Sequence, residues 1–160
     1  MTTLANRKPY NDRSDLEKIQ SQWVKLTGLH DRTDWSAAVV RAATATEIAV
    51  NFAIRQEFAA RSKLSAPFVD SLLKWANGLT GKLDKLLLPL LRGDRNLKAV
   101  KSLGKIARDI NEHRNGIVHR GEFCSEERSA KIINECEKFV LGIINIYDPD
   151  FSLNAKKSDH

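Results

Sequence analysis

From Leu90 to Asp148 the chain contains no proline, and through that stretch apolar residues return every three or four positions. Proline fixes φ and removes a helix hydrogen bond, so its absence over such a length leaves room for long helices. A β-rich chain would need more turn residues there. The four prolines of the sequence stand at Pro9, Pro67, Pro89 and Pro149.

Five helical segments can be read. The first opens at a capping box, Ser14 with Glu17, where two side chains satisfy orphan amides reciprocally. Leu16, Ile19, Trp23 and Leu26 then keep a helical spacing, and Gly28 is expected to end it. The second runs from Thr33 or Asp34 to about Arg61 and is apolar on most sides, as a central buried helix should be. Its one polar strip is Arg41, Thr44, Glu47, Asn51 and Arg55. The third begins after Ser65, with Pro67 in its first turn. Leu72, Ala76, Leu79, Leu83, Leu86 and Leu90 stay in phase across Gly78 and Gly81, which fits one kinked helix or two short ones. The fourth runs from about Arg95 to His119 or Arg120 and stops at Gly121. The fifth starts at Ser125, carries the stripe Ile132, Ile133, Cys136, Phe139, Val140, Ile143, Ile144 and Tyr147, and ends at Pro149. The expected fold is therefore all-α: one domain over 1–160, a bundle of about five helices with its core over about 14–148 and a frayed polar tail over 150–160.

Hydrophobic residues at 42% and charged residues at 29% are globular rather than disordered composition. The opening residues lack the apolar core of a signal peptide, and the longest apolar run, Leu86 to Leu91, is too short to span a bilayer. Two cysteines, Cys124 and Cys136, are too few for a disulfide scaffold and suit a reducing compartment. The expectation is a cytoplasmic protein with no membrane partner.

The charge is concentrated. Lys82, Lys85, Arg92, Arg95, Lys98, Lys101, Lys105 and Arg108, set against Asp84 and Asp94, account for the whole formal net charge of +6. A basic segment of this kind attracts nucleic acid or another polyanion, or is simply a solvated helix face.

Near the end of the fourth helix the chain reads Arg114-Asn115-Gly116-Ile117-Val118-His119-Arg120-Gly121. On a wheel turning about 100° per residue, Leu103, Ile106, Ala107, Ile110, Ile117 and Val118 form the core face. Lys98, Lys101, Lys105 and Arg108 lie opposite and lead towards Asn115 and His119. Arg114 falls inside the apolar stripe. A guanidinium there must pair with a buried carboxylate, project into a cleft or face a partner subunit. Glu47 is the best internal candidate for the first option. Gly116 costs about 1 kcal/mol relative to alanine inside a helix, so it implies either a close approach or a local kink.

Arg114 through His119 resembles the Arg-x4–6-His motif of the HEPN superfamily, compact helical domains of bacterial toxins and RNA-processing factors. The polar Asn115 directly after the arginine, the place of the motif late in a helical chain, and the long alanine-rich early helix carrying Glu47 are similar to that family too.

The resemblance implies a metal-independent endoribonuclease in which a ribose 2′-OH attacks the adjacent phosphorus, leaving a 2′,3′-cyclic phosphate and a 5′-OH. Histidine is the residue type suited to proton transfer near neutrality, which assigns that role to His119. Arg114 would hold the phosphate oxygens as charge develops, Asn115 would orient the histidine or donate to phosphate, and Glu47 would support the site. Lys98, Lys101, Lys105, Arg108 and Arg120 would track the RNA backbone. No metal and no cofactor is called for. The resemblance also implies a homodimer with a composite active site, because one histidine per chain is thin for two proton transfers. A toxin or phage-defence effector with an antitoxin or regulatory protein fits the family. Gly121 stands where one toxin group carries a tyrosine that its antitoxin adenylylates. Two further readings remain beside this one: a catalytically inactive HEPN-like module binding RNA, nucleotide or a protein, and a helical adaptor in which Arg114 and Glu47 form a plain salt bridge. Trp23, Trp35 and Trp75 read as packing residues, His113 as an exposed helix residue and His30 as part of a loop.

Overall fold

In the computed structural model, which describes residues 8–76 and 78–154, Ser14 caps the first helix in both directions: its hydroxyl accepts from the Glu17 amide (3.2 Å) and its own amide donates to the Glu17 carboxylate (3.1 Å). Those bonds hold the Glu17 carboxyl below its usual range. A single 3-10 turn, Tyr10–Asp12, precedes this helix, α1 (Asp15–Asp31). The helix does not stop at Gly28. It continues to Asp31, and the chain turns at Thr33, which holds a left-handed φ of 65°. His30 is therefore in the last turn of α1 rather than in a loop, with Nδ1 2.9 Å from Ser129 Oγ.

The long apolar segment forms α2 (Trp35–Arg61). By length and composition it could cross a membrane. Here Ala38, Val39, Ala42, Ala45, Ala49 and Ile54 are buried, and the helix lies along α1 and the last two helices of the chain. After Ser65, whose hydroxyl accepts from the Phe68 amide, comes α3 (Ala66–Trp75). Arg55 reaches Asp15 on α1 (2.7 Å) and Asp70 on α3 (2.9 Å), tying both to α2. The two open alternatives for the third segment resolve as a break: Ala76 is extended, and helix resumes over 78–90.

That resumed helix, α4, is regular over Gly78–Lys82, π-helical over Leu83–Leu87 and regular again over Leu88–Leu90. The Leu88 amide bonds back five residues to the Leu83 carbonyl. The inward residues are consequently Leu79, Leu83, Leu87 and Leu91, all buried, whereas Leu86 and Leu90 are half-buried. In a regular helix residues four apart drift by about 40° per step, and the wider turn takes up that drift.

The fifth and sixth helices, α5 (Leu97–Arg120) and α6 (Glu126–Tyr147), cross α2 and each other. There are thus six helices among the described residues, and no strand. Phe139, Ile132, Ile143 and Ile144 of α6 are fully buried, each contributing about 1.5–3 kcal/mol relative to exposure. The chain beyond Pro149 is not frayed as far as Asn154. Asn145 Nδ2 donates to the carbonyls of Asp148 and Phe151 (both 3.0 Å), and Gln20 of α1 donates to the Asn154 carbonyl (2.7 Å). Phe151 and Leu153 pack on the core, which is why the segment stays put. Residues 155–160 of the expected tail lie outside the described ones.

Candidate active site

The C-terminal end of α5 builds the site. Gly121 takes a left-handed φ of 63°, which lets the chain turn so that the Glu122 amide donates to the Gly116 carbonyl (3.0 Å). The turn leaves His119 on the exposed last turn of the helix. Arg114, one and a half turns earlier, is half-buried. Its Nη1 donates to Asn115 Oδ1 (3.2 Å) and lies 3.4 Å from His119 Nε2. Arg114 therefore reaches both other motif side chains through the same guanidinium nitrogen.

Arg114 also lines a pocket of about 150 Å³ between α2, α4 and α5, together with Val40, Thr44, Glu47, Leu79 and Asn111. The cleft option for the stripe arginine is the one observed. Glu47 shares that pocket but is not the partner of Arg114. It accepts from Lys82 Nζ at 2.8 Å. In the sequence Lys82 is one of the basic residues of its segment. Its place between the buried Leu79 and Leu83 is the signal that it points inward, where it needs a carboxylate. Asn111, whose Nδ2 donates to Thr80 Oγ1 (3.3 Å), is the other pocket residue that the motif did not indicate.

The basic stripe is only partly available. Arg108 is paired with Asp84 of α4, and Arg120 with Glu112 (3.0 Å) and Glu122 (2.9 Å). Lys98, Lys101 and Lys105 are exposed on α5 and make no ion pair among the described residues. Gly116 has its reason in the same network: a Cβ there would collide with the Glu122 carboxylate folded over it.

Several placements differ from expectation. Val118, assigned to the core face, is exposed, because the last turn of α5 runs past the end of the core. Trp23 is buried, but Trp75 is 84% exposed at the end of α3. Phe123, just beyond the motif, is 85% exposed. His113 is half-buried and 3.5 Å from Asp109, one turn earlier on α5. Asp109 also faces Glu135 and Lys131 of α6. Burial, and then the Asp109 carboxylate, push the Glu135 carboxyl up to about 7, against the opposing pull of Lys131.

Neither cysteine is a candidate nucleophile. Both are buried and free, and burial pushes the Cys136 thiol up to about 12 and the Cys124 thiol upward as well. Among the described residues no group of three or more His, Cys, Asp and Glu side chains is placed to hold a metal ion. A larger hollow of about 600 Å³ on the outer face of α1 shares no residue with the motif. Comparison with protein-family models, curated proteins and solved structures returns no match.

Proposed function

We propose that the protein is a metal-independent endoribonuclease of HEPN type, its helices forming one domain that presents Arg114, Asn115 and His119 to RNA. The observation that carries this reading is the 3.4 Å separation of Arg114 Nη1 from His119 Nε2 at the exposed end of α5. A cation able to hold two phosphate oxygens stands beside a group able to move a proton, with Asn115 fixing the guanidinium. In the reaction the ribose 2′-oxygen forms a bond to phosphorus as its proton passes to the imidazole. The P–O5′ bond breaks, and the 5′-oxygen takes up a proton. Products are a 2′,3′-cyclic phosphate and a 5′-OH, so no water enters this step.

One histidine serves both transfers in turn, or two copies share them. The exposed Val118 and Phe123 on either side of His119 support the second arrangement, a homodimer with a composite site, since two apolar side chains beside a polar motif suit a partner surface. Lys98, Lys101 and Lys105 would track the RNA backbone; the paired Arg108 and Arg120 would contribute less. A cytoplasmic toxin or defence effector held in check by a regulatory protein is the setting this activity fits.

The experiment is RNA cleavage in EDTA by the wild type and by Arg114→Ala and His119→Ala, each checked for native helicity, with the new ends identified. Cutting that leaves cyclic phosphate and is lost in both variants supports the reading. RNA bound but never cut by the wild type would replace it with the catalytically inactive binding module. A monomer at high concentration in sedimentation would remove the composite site.

A further inference from the structure

The pocket beside Arg114 presents hydrogen-bond acceptors. Glu47 gives one carboxylate oxygen to Lys82, and among the described residues its other oxygen has no partner. Asn111 turns its amide nitrogen to Thr80, so its carbonyl oxygen is likewise without one. The Thr44 hydroxyl donates to the Val40 carbonyl (3.1 Å), which leaves it only lone pairs to offer. Lys82, the nearby ammonium, is already engaged. Among the described residues Arg114 is thus the one cation lining the pocket, and it lies on the side of His119.

An acceptor-lined pocket next to a phosphate-holding arginine calls for a donor carried on the same nucleotide. We infer that the pocket receives the amino-bearing edge of the base whose 3′-phosphate Arg114 holds, so that the substrate is single-stranded RNA with adenine, cytosine or guanine at that position in preference to uracil. This deepens the ribonuclease reading and rests on Arg114 as the phosphate ligand.

Adenine, cytosine and guanine each carry an exocyclic NH₂ group, and carboxylates and amide carbonyls accept from such groups. Uracil carries a carbonyl oxygen, O4, where cytosine carries its amino group, and its single N3–H lies between two carbonyl oxygens, which would oppose the oxygens of Glu47, Asn111 and Thr44. At about 150 Å³ the space is well below the roughly 300–1,000 Å³ of sites that engulf a drug-sized ligand, so it suits one edge of a base rather than a whole nucleotide. The amino group must also be free of a duplex partner, which selects unpaired RNA.

The test is calorimetric binding of 3′-AMP, 3′-CMP, 3′-GMP and 3′-UMP to the wild type, Thr44→Val and Glu47→Gln, alongside cleavage of DNA strands containing a single ribonucleotide of each base. The three amino-bearing nucleotides should bind at least about tenfold more tightly than 3′-UMP. Both variants should narrow that gap, whereas Arg114→Ala should weaken all four alike. Thr44→Val leaves the Lys82–Glu47 pair untouched, so it decides the matter even if Glu47→Gln folds poorly. Equal binding of all four, binding of none, or a preference unchanged in Thr44→Val would overturn the inference. If the preference is present and no strand is cut, the pocket stands and the endoribonuclease reading falls. Cutting without any base preference gives the reverse.

Discussion

Nζ of Lys82 lies 2.8 Å from Oε1 of Glu47, joining a lysine that is 6% exposed to a glutamate open to the pocket. The two ends of this pair are unequal. Glu47 can be hydrated if its partner is removed; Lys82 cannot. Glu47→Ala should therefore cost on the order of 1–3 kcal/mol in urea unfolding, less than for a fully enclosed pair because one side is open. Lys82→Met keeps the apolar stem and discards the buried charge, so its cost should stay below about 1 kcal/mol. The opposite order would show that the pair is not what supports the lysine.

Salt dependence separates available cations from engaged ones. With a single-stranded oligonucleotide lacking 2′-hydroxyls, Lys101→Ala combined with Lys105→Ala should flatten the slope of log K against log salt by about 1.4, at about 0.7 per phosphate contact. Arg108→Ala should change the slope by less than either lysine, since Asp84 already holds that guanidinium. An equal effect from Arg108 would mean that the phosphate backbone displaces Asp84.

How much of this was readable beforehand depended on whether the deciding partner was close in sequence. Ser14 with Glu17, Ser125 at the start of α6 and Gly121 at the end of α5 announce themselves, because a cap is settled within one turn. Arg114 could be marked as anomalous from its place in the stripe, but the choice among carboxylate, cleft and subunit needed the position of α4, some thirty residues earlier in the chain. The same is true of Glu47: its residue type invited a cation, and nothing local said that Lys82 would be nearer than Arg114. Leu86 and Leu90 fall off the inward row for another reason. A 3.6-residue period selects them, whereas the leucines at 79, 83, 87 and 91 recur every four.

The Asp109–Glu135 contact carries a pH dependence of stability. Glu135, half-buried and facing Asp109, with His113 and Lys131 beside that carboxylate, titrates at about 7 in the folded chain against an ordinary value of 4.5. A carboxyl raised in the folded state is stabilising while protonated, so the contribution is present in full below about pH 4.5 and is lost as pH rises through 7. Stability should fall by on the order of 1–3 kcal/mol between about pH 5 and pH 8 on this account. Glu135→Gln should remove that fall and melt higher than the wild type at pH 8. An unchanged pH profile in Glu135→Gln would assign the dependence elsewhere.

Two helix glycines make a controlled comparison. Alanine gains about 1 kcal/mol over glycine inside a helix. At Gly116 the new methyl meets the Glu122 carboxylate and the Arg120 guanidinium, the ends of two exposed side chains that can swing away together, so Gly116→Ala should leave stability within about 1 kcal/mol of the wild type. At Gly142 a Cβ would stand 2.8 Å from Leu103 Cδ1 across the α5–α6 contact, so Gly142→Ala should cost about 1–2 kcal/mol net. Thermal melts of the two variants should rank in that order.

The π-helical turn over Leu83–Leu87 gives α4 one residue of slack. Deleting one residue between Leu83 and Leu87 would restore ordinary helix and leave the two flanks within about 30° of their present phase, because the wide turn leaves with the residue. Leu79, Leu83, Leu87 and Leu91 would then be spaced four, three and four, still one stripe against the core, with Lys82 still facing Glu47. A codon gained there finds no such slack: it would swing one flank by about 100° and pull the wall of the Arg114 pocket away from the leucine row that anchors it.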